Sequence, residues 1–404
     1  MKVAYYSPLP PSRSGIADYS ELLLPALRER IDVEIARPGR LRREPCADAA
    51  LYHVGNDAEA HGWIVEALRR RPGIVVLHEF VLHHLVVGLT FGRGDPAGYL
   101  AAMEREAGLV GRLLAYAVLD NRIPPLWETR PEDYPLAGEV LDLTTGLIVH
   151  SRYVERRARE AGFAGPIRRV PHPAWPVPEL EPVELDGEPL LGCFGHLNDA
   201  KRVPQLLRAF ERLRSRRPRA RLLLVGSASV RLRDLELLEG VEREPYVPET
   251  RLWSLMAACD AIVSLRSPTM GETSGSAVRA LSLGKPLVVS DVGWFAELPD
   301  DAVLKVPVDD REAETLDAAL EALADDGVRS AMSRAALELV DREHRLDRVA
   351  DRYVAAVEEI AGGPGVRERV VEDVARAAAE VGIEPGDPEA AVLAGQLREI
   401  GLGD

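Results

Sequence analysis

From end to end the chain alternates short, continuous apolar runs with longer stretches of helical periodicity. "KVAYYS", "DVEIA", "ALYHVG", "GIVVLH", "GLIVHS" and "IRRVPH" read as strands in the first half. "LLGCFG", "ARLLLVG", "AIVSLR", "PLVVS" and "AVLKV" do so in the second. A strand that is apolar at every position, rather than at alternate ones, is covered on both faces, as parallel strands between layers of helices are. The pattern predicts an α/β chain with right-handed strand–helix–strand connections. One proline-rich, acidic and aperiodic stretch, "PHPAWPVPELEPVELDGEP", interrupts the series. Two doubly wound, Rossmann-like domains are therefore expected: residues 1–172, a linker at 173–189, and residues 190–362. Residues 92–143 form a helical insertion in the first domain, and residues 363–404 a helical C-terminal extension. Facing sheets of this kind bind ligands beyond the carboxyl ends of their strands, in the cleft between them.

The net charge of −15 argues against a nucleic-acid partner, which demands a basic surface. The first half is close to neutral, and its arginine clusters (Arg40, Arg42, Arg43 and Arg69, Arg70, Arg71) read as solvated surface. The alternative for them is weak peripheral contact with anionic lipid. Cys46, Cys193 and Cys259 are far apart and fit neither a disulfide framework nor a metal spacing. With no apolar signal core and no bilayer-spanning run, a cytoplasmic protein is expected, at most peripheral at the inner face of the membrane.

The loops after the strands carry the chemistry. "SPLPPSRSGIADYS" sets Gly15 before a helix whose first turn offers Asp18 and Tyr19; it lacks the Gly-x-Gly-x-x-Gly of dinucleotide folds. Gly15 either eases a turn or lets the backbone approach a ligand. "VVLHEFVLHHL" ends a buried strand in His78 and Glu79, with His83 and His84 following. Folding requires no histidine there, so His78 is a candidate for function. In "LLGCFGHLNDAKR", Gly195 is followed by His196, Asn198, Lys201 and Arg202. Cations at a helix start oppose the helix dipole but suit a bound anion. In "GETSGSAVRALSLGKPLVVS", Thr273, Ser274, Gly275 and Ser276 present free backbone N–H groups to an anion such as a diphosphate. Glu272 suits sugar hydroxyls. An ordinary helix cap at Thr273 or Ser274 is the plainer alternative. In the insertion, "PPLWETRPEDYPL" offers Trp127 and Tyr134 for stacking on an acceptor, with Glu128 and Arg130 beside them. Packing within a helical lid is the alternative.

In their order and spacing these motifs resemble a retaining, GT-B-fold glycosyltransferase of family 4, over residues 1 to about 360. "GHLNDAKR" is similar to the family's diphosphate motif, and "YVPETRLWSLMAACDAIVSLRSP" with "LGKPLVVSDVGWFAEL" to its C-terminal block. The resemblance implies a nucleotide-diphosphate sugar as donor, such as GDP-mannose or UDP-glucose, and a saccharide, lipid-linked or small-molecule acceptor. No cofactor or metal is implied. Lys201 would meet the diphosphate, His78 the transferred sugar, Val247 the base, and Glu272 sugar hydroxyls or phosphates. Most members carry two glutamates eight positions apart. Here the first is shifted to Glu272 and Arg279 stands at the second, which suggests a subgroup with a GETS-type motif. His196 replaces the diphosphate arginine. The rival readings are another GT-B enzyme, a phosphorylase or epimerase, and a non-catalytic nucleotide-sugar-binding protein.

Overall fold

The computed structural model describes residues 1–12, 14–39, 45–234, 236–362 and 364–399. Arg40, Arg42 and Arg43 lie outside the described residues. Each apolar run forms a parallel strand. The first sheet comprises β1 (Lys2–Tyr6), β2 (Asp32–Ile35), β3 (Ala49–Val54), β4 (Gly73–Leu77), β5 (Thr144–Val149) and β6 (Ile167–Arg169), in the order β2-β1-β3-β4-β5-β6. The second comprises β7 (Leu190–Phe194), β8 (Arg221–Val225), β9 (Val241–Glu244), β10 (Ala261–Ser264), β11 (Leu287–Ser290) and β12 (Val303–Val306), in the order β12-β11-β10-β7-β8-β9. Strands β3 and β4 are buried at every position, as their unbroken apolar sequence requires. Strand β9, "VERE", escaped the sequence reading because it is an edge strand carrying charge, which blunts edge pairing but removes the apolar signal.

Strand order reverses between β1 and β3 in one sheet and between β7 and β10 in the other, so each sheet opens a crevice at that point. The two are the Rossmann-like halves expected. The insertion builds a small core of its own from Tyr99, Met103, Ala115, Val118, Leu126 and Leu136. Its helix Pro96–Leu119 is broken at Ala107 and Gly108, whose backbone leaves the helical region. Two helices, Pro364–Glu380 and Pro388–Glu399, make up the extension.

The helix Leu346–Gly362 departs from the expected division. By sequence it closes the second domain. Its buried face, Val349, Ala350, Tyr353, Val357 and Ile360, packs instead with Val3, Tyr5, Leu23 and Ile148 of the first. Amphipathic periodicity states that a face must be covered, not by which sheet.

The halves also clasp at the mouth of the cleft. Phe80 and Val81 donate their N–H groups to the Met270 carbonyl at 2.8 and 3.0 Å. Thr269 N–H donates to Glu132 Oε1 of the insertion at 3.0 Å. Glu297 accepts from the N–H groups of Arg152 and Tyr153 (2.9 and 2.6 Å), a carboxylate at the positive end of the helix Arg152–Glu160. Gly271 has φ +83°, and a side chain there would meet Phe80 N at 3.2 Å, so the clasp needs a glycine.

Candidate functional site

The cleft between the sheets is lined from the first domain by Gly15, Asp18, Asn56 and Glu79, and from the second by Glu272, Thr273, Gly275 and Arg279. Gly15 opens the helix Gly15–Arg28, capped by Ser14. A Cβ on it would touch nothing within 4 Å, so the backbone there is open to a ligand. Desolvation raises the Asp18 carboxyl above its usual range, against the pull of Arg279. Burial, reinforced by Glu272, pushes the Glu79 carboxyl up to about 7; the Asn56 N–H at 3.3 Å opposes this. Among the described residues no cation pairs with Glu79.

His78 stands at the cleft, but inside a chain of histidines. The Val170 carbonyl accepts from His150 Nδ1 at 2.8 Å, which leaves His150 Nε2 as an acceptor for His78 Nδ1 at 3.3 Å. His78 Nε2 then accepts from His53 Nδ1 at 2.9 Å, and His53 Nε2 ends the chain, fully buried and without a partner. One backbone carbonyl thus sets every tautomer. Both ring nitrogens of His78 are engaged, so a sugar hydroxyl could bond one only by breaking the chain. Burial lowers all these histidines, His150 to about 4. The sequence reading missed His53, His61, His150 and His172. Its signal was available: the neighbouring strands in "GIVVLH", "GLIVHS" and "IRRVPH" all run into a histidine. Among the described residues, no group of three or more His, Cys, Asp or Glu side chains is arranged to hold a metal.

Several acceptor candidates are used by the fold. Tyr19 is 1% exposed and lies among the rings of His53, His78, His150 and His172; its hydroxyl meets that of Tyr353 at 2.6 Å. His83 binds the Tyr134 carbonyl (2.7 Å) and the Tyr99 hydroxyl (3.0 Å), which fastens the insertion. Trp127 packs edge-on against Tyr99, and Tyr134 lies against the insertion core under Arg130. Both are partly buried against the insertion's own core, the packing role that was the alternative for them. Arg69 and Arg71, offered to lipid as the alternative, bind Glu139 and the carbonyls of Pro45 and Ala47.

On the donor side the residues divide. Lys201 is 5% exposed, donates from Nζ to the Phe194 carbonyl, and is lowered by burial to about 8. Gly195 has φ +97°, and a Cβ on it would lie 3.2 Å from Lys201 Nζ and 4.0 Å from Ser276 Oγ, so these three converge at the end of β7. Ser274 caps the helix Gly275–Ser282 by accepting from Ala277 N–H, and its hydroxyl meets Ser276 Oγ at 3.1 Å. The cap and the open helix start coexist. Thr273 Oγ1 is buried and unpartnered.

Other donor candidates have structural partners. Asn198 caps the turn that carries Lys201. Arg202 forms a two-pronged ion pair with the buried Glu312, so its charge is already met. His196 is exposed and bonded to Ser227 Oγ at 2.8 Å; Val247 packs on the second domain's core. Arg279 is 8% exposed, stacks on Trp175 at 3.7 Å and meets Glu249 at 3.2 Å, while its Nε has no partner. Glu272 is less free than its sequence suggests. Its carboxylate contacts Arg266 at 2.8 Å and accepts from Met270 N–H at 2.8 Å and Thr269 Oγ1 at 3.3 Å.

Residues 188–326 match the family model described as Glycosyl transferases group 1. Among solved structures the fold is similar to sucrose-phosphate synthase from Thermosynechococcus elongatus (17% identity, TM-score 0.61, 89% of this chain and 99% of that one). It is similar also to HepE from Anabaena, solved with UDP-glucose (15%, 0.56, 89% and 100%), and to the pneumococcal O-GlcNAc transferase GtfA, solved with UDP and GlcNAc (11%, 0.51, 78% and 57%). At these identities the likeness shows the fold, which is the GT-B fold. No curated protein matches the sequence.

Proposed function

We propose that this chain, whose residues 188–326 match the group 1 glycosyltransferase model and which has the GT-B fold, moves a hexosyl group from a nucleotide-diphosphate sugar to an acceptor hydroxyl with retention of configuration. The observation that carries this reading is the convergence of Lys201, Gly195 and Ser276 at the second sheet's switch point, beside the open start of the helix Gly275–Ser282. A buried cation and free N–H groups there stabilise the charge that develops on a leaving diphosphate. Across the cleft, Asp18 and Glu79 line the space for the acceptor, and Gly15 leaves its backbone open to the donor. Holding the acceptor hydroxyl on the same face as the departing phosphate lets that phosphate take its proton, and the protein's task is orientation. The GETS-type motif of this chain then carries the donor contacts, with Arg279 on Trp175 in place of a second glutamate.

UDP-sugars are the first donors to test, because HepE and GtfA are solved with UDP ligands; glucose- and mannose-type sugars are the candidates. The acceptor is a saccharide, a glycolipid or a small molecule. No helix among the described residues is long and apolar enough to cross a membrane. The occupied nitrogens of His78 favour the second reading, a nucleotide-sugar-binding protein without turnover. Nucleotide release from UDP-glucose and GDP-mannose, followed with and without added saccharides, separates the two. Slow acceptor-free hydrolysis supports the enzyme, and tight donor binding without any release supports the binder. Binding of neither donor refutes both.

A further inference from the structure

Two largely covered cations act on each other at the second sheet's switch point, and among the described residues one carboxylate contacts them. Lys201 Nζ bonds a carbonyl rather than a carboxylate. Arg266 follows the end of β10, with a side chain 13% exposed. The next residue, Ser267, donates its N–H to the Ala200 carbonyl at 2.8 Å, which ties the two cation-bearing segments together. Arg266 also acts on Lys201 electrostatically and helps to hold its pKa down. Arg266 Nε lies 2.8 Å from Glu272 Oε1, a charge contact without hydrogen-bond alignment, so Nε is a buried donor with no hydrogen-bond partner. A buried guanidinium needs both charge and hydrogen-bond satisfaction. Glu272 supplies the first only.

The carboxylate has a firmer hold elsewhere. Its Oε2 accepts from Met270 N–H and Thr269 Oγ1, while among the described residues Oε1 meets only Arg266. Oε1 can therefore change partners while Oε2 keeps the side chain in place.

Resting on the donor reading above, we infer that Arg266 is the second cation of the diphosphate seat and that Glu272 is its internal counter-ion, displaced when the diphosphate binds. The incoming anion takes Arg266 Nε and Lys201 together, and Glu272 Oε1 is released to accept hydrogen bonds from the sugar. Sugar recognition thereby becomes conditional on the diphosphate. A free sugar meets a carboxylate already engaged; the same sugar on a diphosphate arrives with the group that frees it. No covalent bond changes in this exchange.

Calorimetry with inorganic pyrophosphate, UDP and uridine tests it. Arg266→Met should weaken pyrophosphate and UDP about tenfold or more and leave uridine unchanged. Arg266→Lys, which keeps the charge, should retain most of the affinity. Glu272→Gln removes the competitor and should tighten pyrophosphate by about threefold or more, while sugar transfer falls. A merely structural Glu272 would give no such opposite movement. If Arg266→Met does not fold, Glu272→Gln decides alone: unchanged or weaker pyrophosphate binding at an unaltered melting temperature overturns the inference. So does an Arg266→Met variant that binds pyrophosphate as the wild type does. A wild-type protein that binds neither pyrophosphate nor UDP overturns the donor reading itself.

Discussion

Replacing Lys201 with methionine should make the folded protein more stable and the donor site weaker. Lys201 is 5% exposed, and burial lowers it from 10.5 to about 8. That gap corresponds to about 3 kcal/mol of destabilisation at neutral pH, at about 1.4 kcal/mol per pH unit. Methionine fills the same space without a charge. The loss of the bond to the Phe194 carbonyl returns about 1 kcal/mol of cost, because that acceptor is left buried. The net gain of about 2 kcal/mol should raise the melting temperature by several degrees. The pH dependence has a definite sign. Between pH 8 and 10.5 the unfolded chain keeps a proton that the folded chain has lost, so wild-type stability rises with pH through that window. Lys201→Met should lack this rise. The assay is thermal unfolding at pH 7 and pH 9.5, with and without UDP. Wild type should start lower and gain more from UDP, since ligand stabilisation follows affinity. The variant should lose a charge-assisted contact of roughly 1.5–3 kcal/mol, or about ten- to a hundredfold in affinity. A variant that melts lower than wild type and responds equally to UDP would refute the argument.

The Glu79 carboxyl, held up to about 7, keeps a proton that the unfolded chain releases near 4.5, so stability should fall as pH rises from 4.5 to 7. Glu79→Gln should flatten that slope in urea titrations. The buried histidines act in the opposite sense. Their folded values lie below the ordinary 6.5, so stability should drop as pH falls from 6.5 toward 4, and His53→Phe should reduce the drop. The double change Trp127→Ala and Tyr134→Ala should lower the melting temperature by opening the insertion core, and UDP affinity and acceptor-free donor hydrolysis should stay near normal. A raised acceptor KM at an unchanged melting temperature would restore the stacking role to these aromatics.

The sequence by itself determined the buried strands, though not the charged edge strand β9, because burial on both faces leaves a local mark: an unbroken apolar run such as "GIVVL" can sit comfortably nowhere else. It marked the break between the two sheets through proline, and the capped helix start at Ser274 through the small residues 273–276. It also located the switch-point loops, since they follow strands directly. What it could not determine was partnership. Arg202 and Lys201 are neighbours and look alike in the sequence, yet one is neutralised by Glu312, 110 positions away, and the other is left beside an open helix start. His78 reads as a lone histidine until β3 and β5 set His53 and His150 on either side of it. Trp127 looks like a stacking platform until His83 and Tyr99 pack against its ring. Glu272 reads as a free acid until β10 delivers Arg266 to it. Backbone conformation and apolar patterning are set by near neighbours in the chain. Which charges and hydrogen-bonding groups remain unspent is set by contacts across the fold, and in this protein only the tertiary structure decided it.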